Sequence, residues 1–190
     1  MANLTFGKRR RRVNYDLLQE VIVWTFQIGI VCLLAFVCVY YFGQRVSVIG
    51  DSMNPELTNG NITLISKAAY SMGTPKRGDV VAFKPNGNES SHYYIKRIIA
   101  LPGETVEFQE GKLIVNGREI RERYETTEIK ELGLLSETVT LKNNEYFVLG
   151  DDRQNSEDSR SADIGAVKRS EIGGKVWFVV SPGKTFGFVR

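Results

Sequence analysis

Cysteine is almost missing from this chain, and its location restricts the chemistry available. Cys32 and Cys38 are the two present in 190 residues, and both fall inside an uncharged apolar run. The rest of the chain therefore has no disulfide, no thiol nucleophile and no cysteine-ligated metal. Histidine occurs once, as His92, which argues against a zinc site because no cluster of nitrogen and sulfur donors can form. Charge is absent from residues 21–42, VIVWTFQIGIVCLLAFVCVYYF. Internal repeats and low-complexity tracts are lacking too, apart from the basic block KRRRR at residues 8–12. That block supplies much of the net charge of +3 and the pI near 8.8, so the basic balance does not point to nucleic acid.

The apolar run reads as a membrane span. Its 22 residues, at about 1.5 Å each, cover about 33 Å, against a hydrocarbon layer of about 30 Å. Trp24 lies near one end and Tyr40 and Tyr41 near the other, where amphipathic rings favour the interfaces. A core helix of this length would carry a polar stripe. The cations of residues 8–12 precede the run and only Arg45 closely follows it. This bias predicts a cytoplasmic N-terminus over 1–20, a transmembrane helix over 21–42 and an extracytoplasmic domain over 43–190, at the cell membrane. A cleaved signal peptide fits worse, since the run exceeds an ordinary h-region and no Ala-x-Ala-like exit follows it. The lipid bilayer is thus the first expected partner.

Beyond Gly43 the helical signal stops. Short stretches rich in Val, Ile, Tyr and Phe recur between turn residues: VSVIG, NITLIS, DVVAFK, YYIKRIIAL, TVEFQ, KLIVNG, EYFVLG and KVWFVV. Such stretches form strands. GKLIVNGREI predicts a hairpin, because Asn-Gly suits the positive φ angles of a type I′ turn. The charged tract 121–133 reads as a solvated loop or strand pair. With 42% apolar and 11% aromatic residues the chain can bury one sizeable core. The expected fold is mainly β: a single N-terminal transmembrane helix followed by an all-β external domain.

Three segments of that domain carry chemistry. In VIGDSMNPEL, Ser52 stands between turn residues a few positions after the span. A serine hydroxyl needs a base to become a nucleophile near neutral pH. A lysine can serve if burial lowers its pKa from about 10.4. Lys96 lies in such a place, within the apolar strand YIKRIIAL; the plainer reading of a lysine there is that it snorkels to solvent. The third segment, LGDDRQNSEDSR, follows the apolar strand EYFVL. Taken alone it is a polar loop, in which Asp158 can pair with Arg160 or Arg153.

Together these segments resemble bacterial type I signal peptidase, in its single-anchor, Gram-positive-like form. GDSMNPEL matches the nucleophile motif, and GDVVAF (78–83) the block after it. YIKRIIALPGETVEF resembles the lysine block, GDDRQNSEDSR the last polar block, and IGGKVWFVVSP (172–182) the closing strand. The resemblance implies a membrane-bound serine endopeptidase that removes signal peptides from exported preproteins after Ala-x-Ala-like sites, without metal or other cofactor. It makes Ser52 the nucleophile and Lys96 the general base, with Ser156 orienting the lysine amine. Asp158 and Arg160 become partners that hold the loop. The Ser52 N–H becomes an oxyanion donor. Pockets for small side chains are expected from Val48, Ile49, Met53, Leu57, Tyr94 and Ile95, which flank the dyad on segments that can pair with an extended substrate. Departures from the family pattern are Gly50 where some relatives carry a donor serine, Glu56 for Thr, Ala100 for Gly, and Asp152 for Asn. Asp152 would oppose a lowered Lys96 pKa if it were close.

Rival readings stand beside this one. A self-cleaving repressor would need a DNA-binding domain, and penicillin-binding chemistry a lysine at position 55, which is proline. His92 is the alternative base for Ser52. A non-enzymatic or dedicated membrane-anchored factor for pilus or surface-protein assembly is the alternative from another class.

Overall fold

The computed structural model describes residues 15–71, 73–88, 90–181 and 186–189; the basic block at 8–12 lies outside them. The chain divides into two units, residues 1–39 and 40–190. In the first, helix α1 (Tyr15–Phe42) starts six residues before the uncharged run. Leu17, Leu18, Gln19 and Glu20 are good helix formers, so the helix extends past the stretch that hydropathy marks. Its apolar side chains are exposed on every side, with Trp24 65%, Phe26 68% and Phe36 69% accessible. A helix apolar all round needs an apolar surrounding. Among the described residues it is the one helix long and apolar enough to cross a membrane.

The second unit is built from short strands, as the alternating stretches predict. In chain order these are β1 (Gln44–Ser47), β2 (Ile62–Ser66), a single helical turn α2 (Ala68–Ser71), β3 (Val80–Phe83) and β4 (Tyr94–Ala100). There follow β5 (Thr105–Gln109), β6 (Lys112–Val115), β7 (Arg118–Glu119), β8 (Val139–Thr140), β9 (Glu145–Leu149), β10 (Val167–Lys168), β11 (Ile172–Val179) and β12 (Gly187–Phe188). The larger sheet runs β1-β2-β11-β3-β4-β9-β10, with β12 also on β11; the smaller runs β7-β6-β5-β8. Every pairing is antiparallel.

The expected hairpin is present. Val115 pairs with Arg118 across Asn116 and Gly117, whose φ angles are +51° and +71°. Both central residues therefore take the left-handed conformation of a type I′ turn. The tract 121–133 holds neither helix nor strand up to the 3₁₀ turn at its end. β3 is buried at all four positions and β4 from Ile95 to Ala100, which explains why they read as continuous apolar runs rather than as alternation. Val80, Ala82, Ile95, Val176 and Met53 pack in one core cluster, while Ile99, Phe147 and Leu149 pack with Val106, Leu113 and Val115 of the smaller sheet.

Candidate active site

Ser52 sits in the long connection between β1 and β2. The base of that connection is closed by Val48 N–H on Asn61 O (2.8 Å) and Gly60 N–H on Val48 O (3.0 Å). Gly50, at φ +82°, turns the chain through a conformation that side chains disfavour. Met53 and Leu57 are then driven into the core at 1% and 0% exposure, while Asp51 stays in solvent. Ser52, between them, is half-buried.

Lys96 arrives from β4, paired with Val81 of β3. It is 3% exposed, so it does not snorkel. Its Nζ donates to Ser52 Oγ at 2.5 Å. Burial lowers its pKa to about 8, against the opposing charges of Asp158, Glu157 and Asp151, with Arg160 pushing it down further. No carboxylate lies in ion-pairing contact with it among the described residues. The amine thus loses its proton far more readily than a solvated lysine, within bonding distance of a hydroxyl.

The segment after β9 wraps around this pair. Asp152 N–H donates to Ser52 O at 3.1 Å and holds the peptide of Ser52 itself. Gly150 N–H donates to Asp158 Oδ2 (3.1 Å). Asp158 grips Arg160 through Nε (2.8 Å) and Nη2 (2.9 Å), the partner choice that the sequence left open between Arg160 and Arg153. Arg160 also donates to the carbonyls of Glu131 (3.0 Å) and Ser156 (3.2 Å). A side chain at Gly150 would overlap both Ser156 Oγ and Ser52 O, so the two segments meet through a glycine because only a glycine fits there.

A cleft of about 450 Å³ opens onto Ser52 and Lys96. Of the expected pocket residues, Val48, Ile49, Met53, Tyr94 and Ile95 line it together with Ser52 and Lys96. Leu57 does not: it is fully buried, its N–H on Met53 O (2.8 Å), and it supports Met53 from behind. Ser156 Oγ is buried and has no hydrogen-bond partner, so the expected bond to the lysine amine is not made here. His92 lines the same cleft and is exposed, but the side chain bonded to Ser52 is Lys96. Asp152 is not among the charges that chiefly act on Lys96. Burial disfavours its charge, but bonds from Asn155 Nδ2 (2.9 Å), Thr127 Oγ1 (3.0 Å) and the Gln154 N–H (3.2 Å) hold its pKa low.

Several contributors went unread in the sequence. Asp51, Ser91, Tyr93, Asn155 and Glu157 also line the cleft; the last two alternate with Ser156 in NSED, a pattern any polar loop shows. Arg97, next to Lys96, is fully buried and binds Asp151 through Nε (2.8 Å) and Nη2 (2.6 Å). Its Nη1 reaches Gly78 O (3.0 Å), and its guanidinium lies 3.9 Å from the centre of the Tyr124 ring.

Comparison with known proteins gives one answer. The family model described as signal peptidase, peptidase S26, matches residues 21–181. Signal peptidase I P of Bacillus subtilis subsp. natto is 34% identical over 184 residues, 93% of this chain and 95% of that protein. Signal peptidase I T of Bacillus subtilis strain 168 is 35% identical over 166 residues, 84% of each chain. The crystal structure of a signal peptidase I from Enterococcus faecalis is 32% identical, covering 55% of this chain and 97% of that one with a TM-score of 0.44.

Proposed function

Because this chain belongs to the signal peptidase family, peptidase S26, a family of serine endopeptidases, we propose that it removes signal peptides from exported preproteins with Ser52 and Lys96 as its catalytic dyad. The observation that carries the reading is the 2.5 Å bond from Lys96 Nζ to Ser52 Oγ. Neutral Lys96 takes the Oγ proton as the oxygen attacks the carbonyl carbon of the scissile bond. The charge that develops on the carbonyl oxygen meets the Ser52 N–H. The C–N bond then breaks, and the lysine ammonium returns its proton to the departing amine. Water repeats the sequence on the acyl-enzyme, with Lys96 again the base, and frees Ser52. Ser156, a buried hydroxyl beside Gly150 and the Ser52 carbonyl, is the group that orients the amine once the substrate is bound. Asp158 and Arg160 hold the loop in place.

Specificity follows from the walls. An extended substrate pairs with segments 46–50 and 92–95 and turns alternate side chains toward Val48, Met53, Tyr94 and Ile95. Shallow apolar pockets of that kind admit alanine one and three residues before the cut. Helix α1 anchors the enzyme, with the N-terminus in the cytoplasm and residues 43–190 outside, so that the nucleophile meets preproteins held in the same bilayer. The reading is tested by incubating the full-length protein in lipid with an Ala-x-Ala preprotein. Wild type should release the mature protein, and Ser52→Ala should release none. Release by Ser52→Ala at the wild-type rate would remove Ser52 from the chemistry.

A further inference from the structure

The cleft that holds the dyad is apolar at its floor and acidic at its rim. Asp51 and Glu157 both line it, and both are exposed. The bases in the lining are Lys96, which is buried against Ser52, and the exposed His92. The two carboxylates differ in how they are used. Asp51 Oδ1 accepts the Asn59 N–H at 3.4 Å and belongs to the turn that carries Ser52. Glu157 makes no hydrogen bond or ion pair among the described residues. Both its neighbours are nonetheless held by Arg160, whose Nη2 donates to the Ser156 carbonyl (3.2 Å) and, with Nε, to the Asp158 carboxylate. A carboxylate thus stands on a hydrogen-bonded loop at the mouth of the cleft; its charge reaches Lys96, and among the described residues no group bonds to it directly.

An extended substrate supplies what it lacks. If the side chains one and three residues before the cut enter the pockets, the side chain between them points the opposite way, out of the floor and toward the rim. Resting on the signal-peptidase reading, we propose that Glu157 is a specificity-determining residue, which favours lysine or arginine at the middle position of Ala-x-Ala and disfavours aspartate or glutamate there. Attraction at an exposed site is modest and repulsion of a like charge is comparable. Lysine over glutamate should therefore amount to a preference on the order of fivefold to tenfold in kcat/KM. Exposed charges are screened, so the preference shrinks in high salt.

The test uses the full-length protein in zwitterionic lipid vesicles, which do not themselves sort peptides by charge. Peptides differing only as Ala-Lys-Ala, Ala-Gln-Ala and Ala-Glu-Ala before the cut are compared by kcat/KM. Wild type should cleave them in the order Lys, Gln, Glu. Glu157→Gln should bring all three within about twofold, and Glu157→Lys should invert the order. Asp51→Asn should leave the order standing. The inference is overturned if Glu157→Gln keeps the wild-type ratio, or if Asp51→Asn abolishes it while Glu157→Gln does not. Wild type that cuts the glutamine peptide but shows no preference among the three refutes the inference and leaves the peptidase reading intact. Wild type that cuts none of them, nor a full-length preprotein, refutes both.

Discussion

Lys96 is buried, has no ion-paired partner among the described residues and rests on the hydroxyl of Ser52; if it is the base proposed above, its protonation decides when the enzyme can work. The proposed base acts in its neutral form, so kcat/KM should rise with pH through an apparent pKa near 8, the value to which burial lowers the amine. Lys96→Arg keeps a charge that cannot be given up in this range and should be inactive at every pH tested. Equal activity of Lys96→Arg together with a dead His92→Ala would transfer the role of base to the histidine. The same depressed pKa works against stability. Lys96 falls from its ordinary 10.5 to about 8 on folding, so between those values the unfolded chain binds a proton that the folded one does not. Stability therefore rises with pH across that window, and below pH 8 the folded state bears the full cost of the buried charge. Lys96→Met, similar in length and apolar, should unfold about 1–3 kcal/mol harder than wild type at pH 7. Urea denaturation should show that gap closing toward pH 10.5. The position of Lys96 inside an apolar strand was legible in the sequence, but its burial was not, because a lysine there more often snorkels to solvent and only the packing around it decides. The place of Glu157 at the rim of the cleft was not legible either, since its surroundings come from β4 and the Ser52 turn, far away in the chain.

At the level of elements, the loop after β9 stands or falls with the Arg97–Asp151 pair. Both side chains are 0% exposed and joined by two bonds, so removing one leaves a charge stranded in the interior. Asp151→Ala should cost about 3–5 kcal/mol of stability, read as a lowered urea midpoint. Glu104→Ala breaks the more exposed pair with Arg77 and should cost far less. Strands were readable where apolar residues recur in short blocks, and the Asn116-Gly117 turn was readable from its conformational demand. The tract 121–133 is the loop that was one of its two expected forms, but what anchors it was not readable. Tyr124 is held under Arg97 and by its hydroxyl on Glu122 Oε1 (2.9 Å), while Ile129 and Leu132 pack separately on the core. Such anchors come one at a time, and no periodicity announces them. Leu57 was misassigned for a related reason: a leucine four residues past Met53 in a helical turn can face the cleft or the core, and only the packing around it decides.

For the whole molecule, the decisive prediction is topological. The cationic residues 8–12 before an uncharged span favour retention of the N-terminus in the cytoplasm. A periplasmic- or surface-active reporter fused after residue 190 should be active, and the same reporter fused at residue 1 silent; the reverse pattern would invert the enzyme. The apolar helix itself was plain from composition, whereas its start at Tyr15 was not, because hydropathy marks the apolar stretch and not the end of the helix.

The strand order also governs when the enzyme can begin to exist. Ser52 belongs to the arm formed by β1 and β2, and Lys96 to the arm formed by β3 and β4. Within the larger sheet these arms are not neighbours: β11 lies between β2 and β3, with Val176 beside Ile65 on one side and Lys175 beside Val81 on the other. Residues 172–179 are made late, after both members of the dyad have left the ribosome. A chain still lacking residues 172–179 therefore has the Ser52 and Lys96 arms without the strand that joins them. On the proposed reading, a peptidase of this topology is inert until its closing strand is in place.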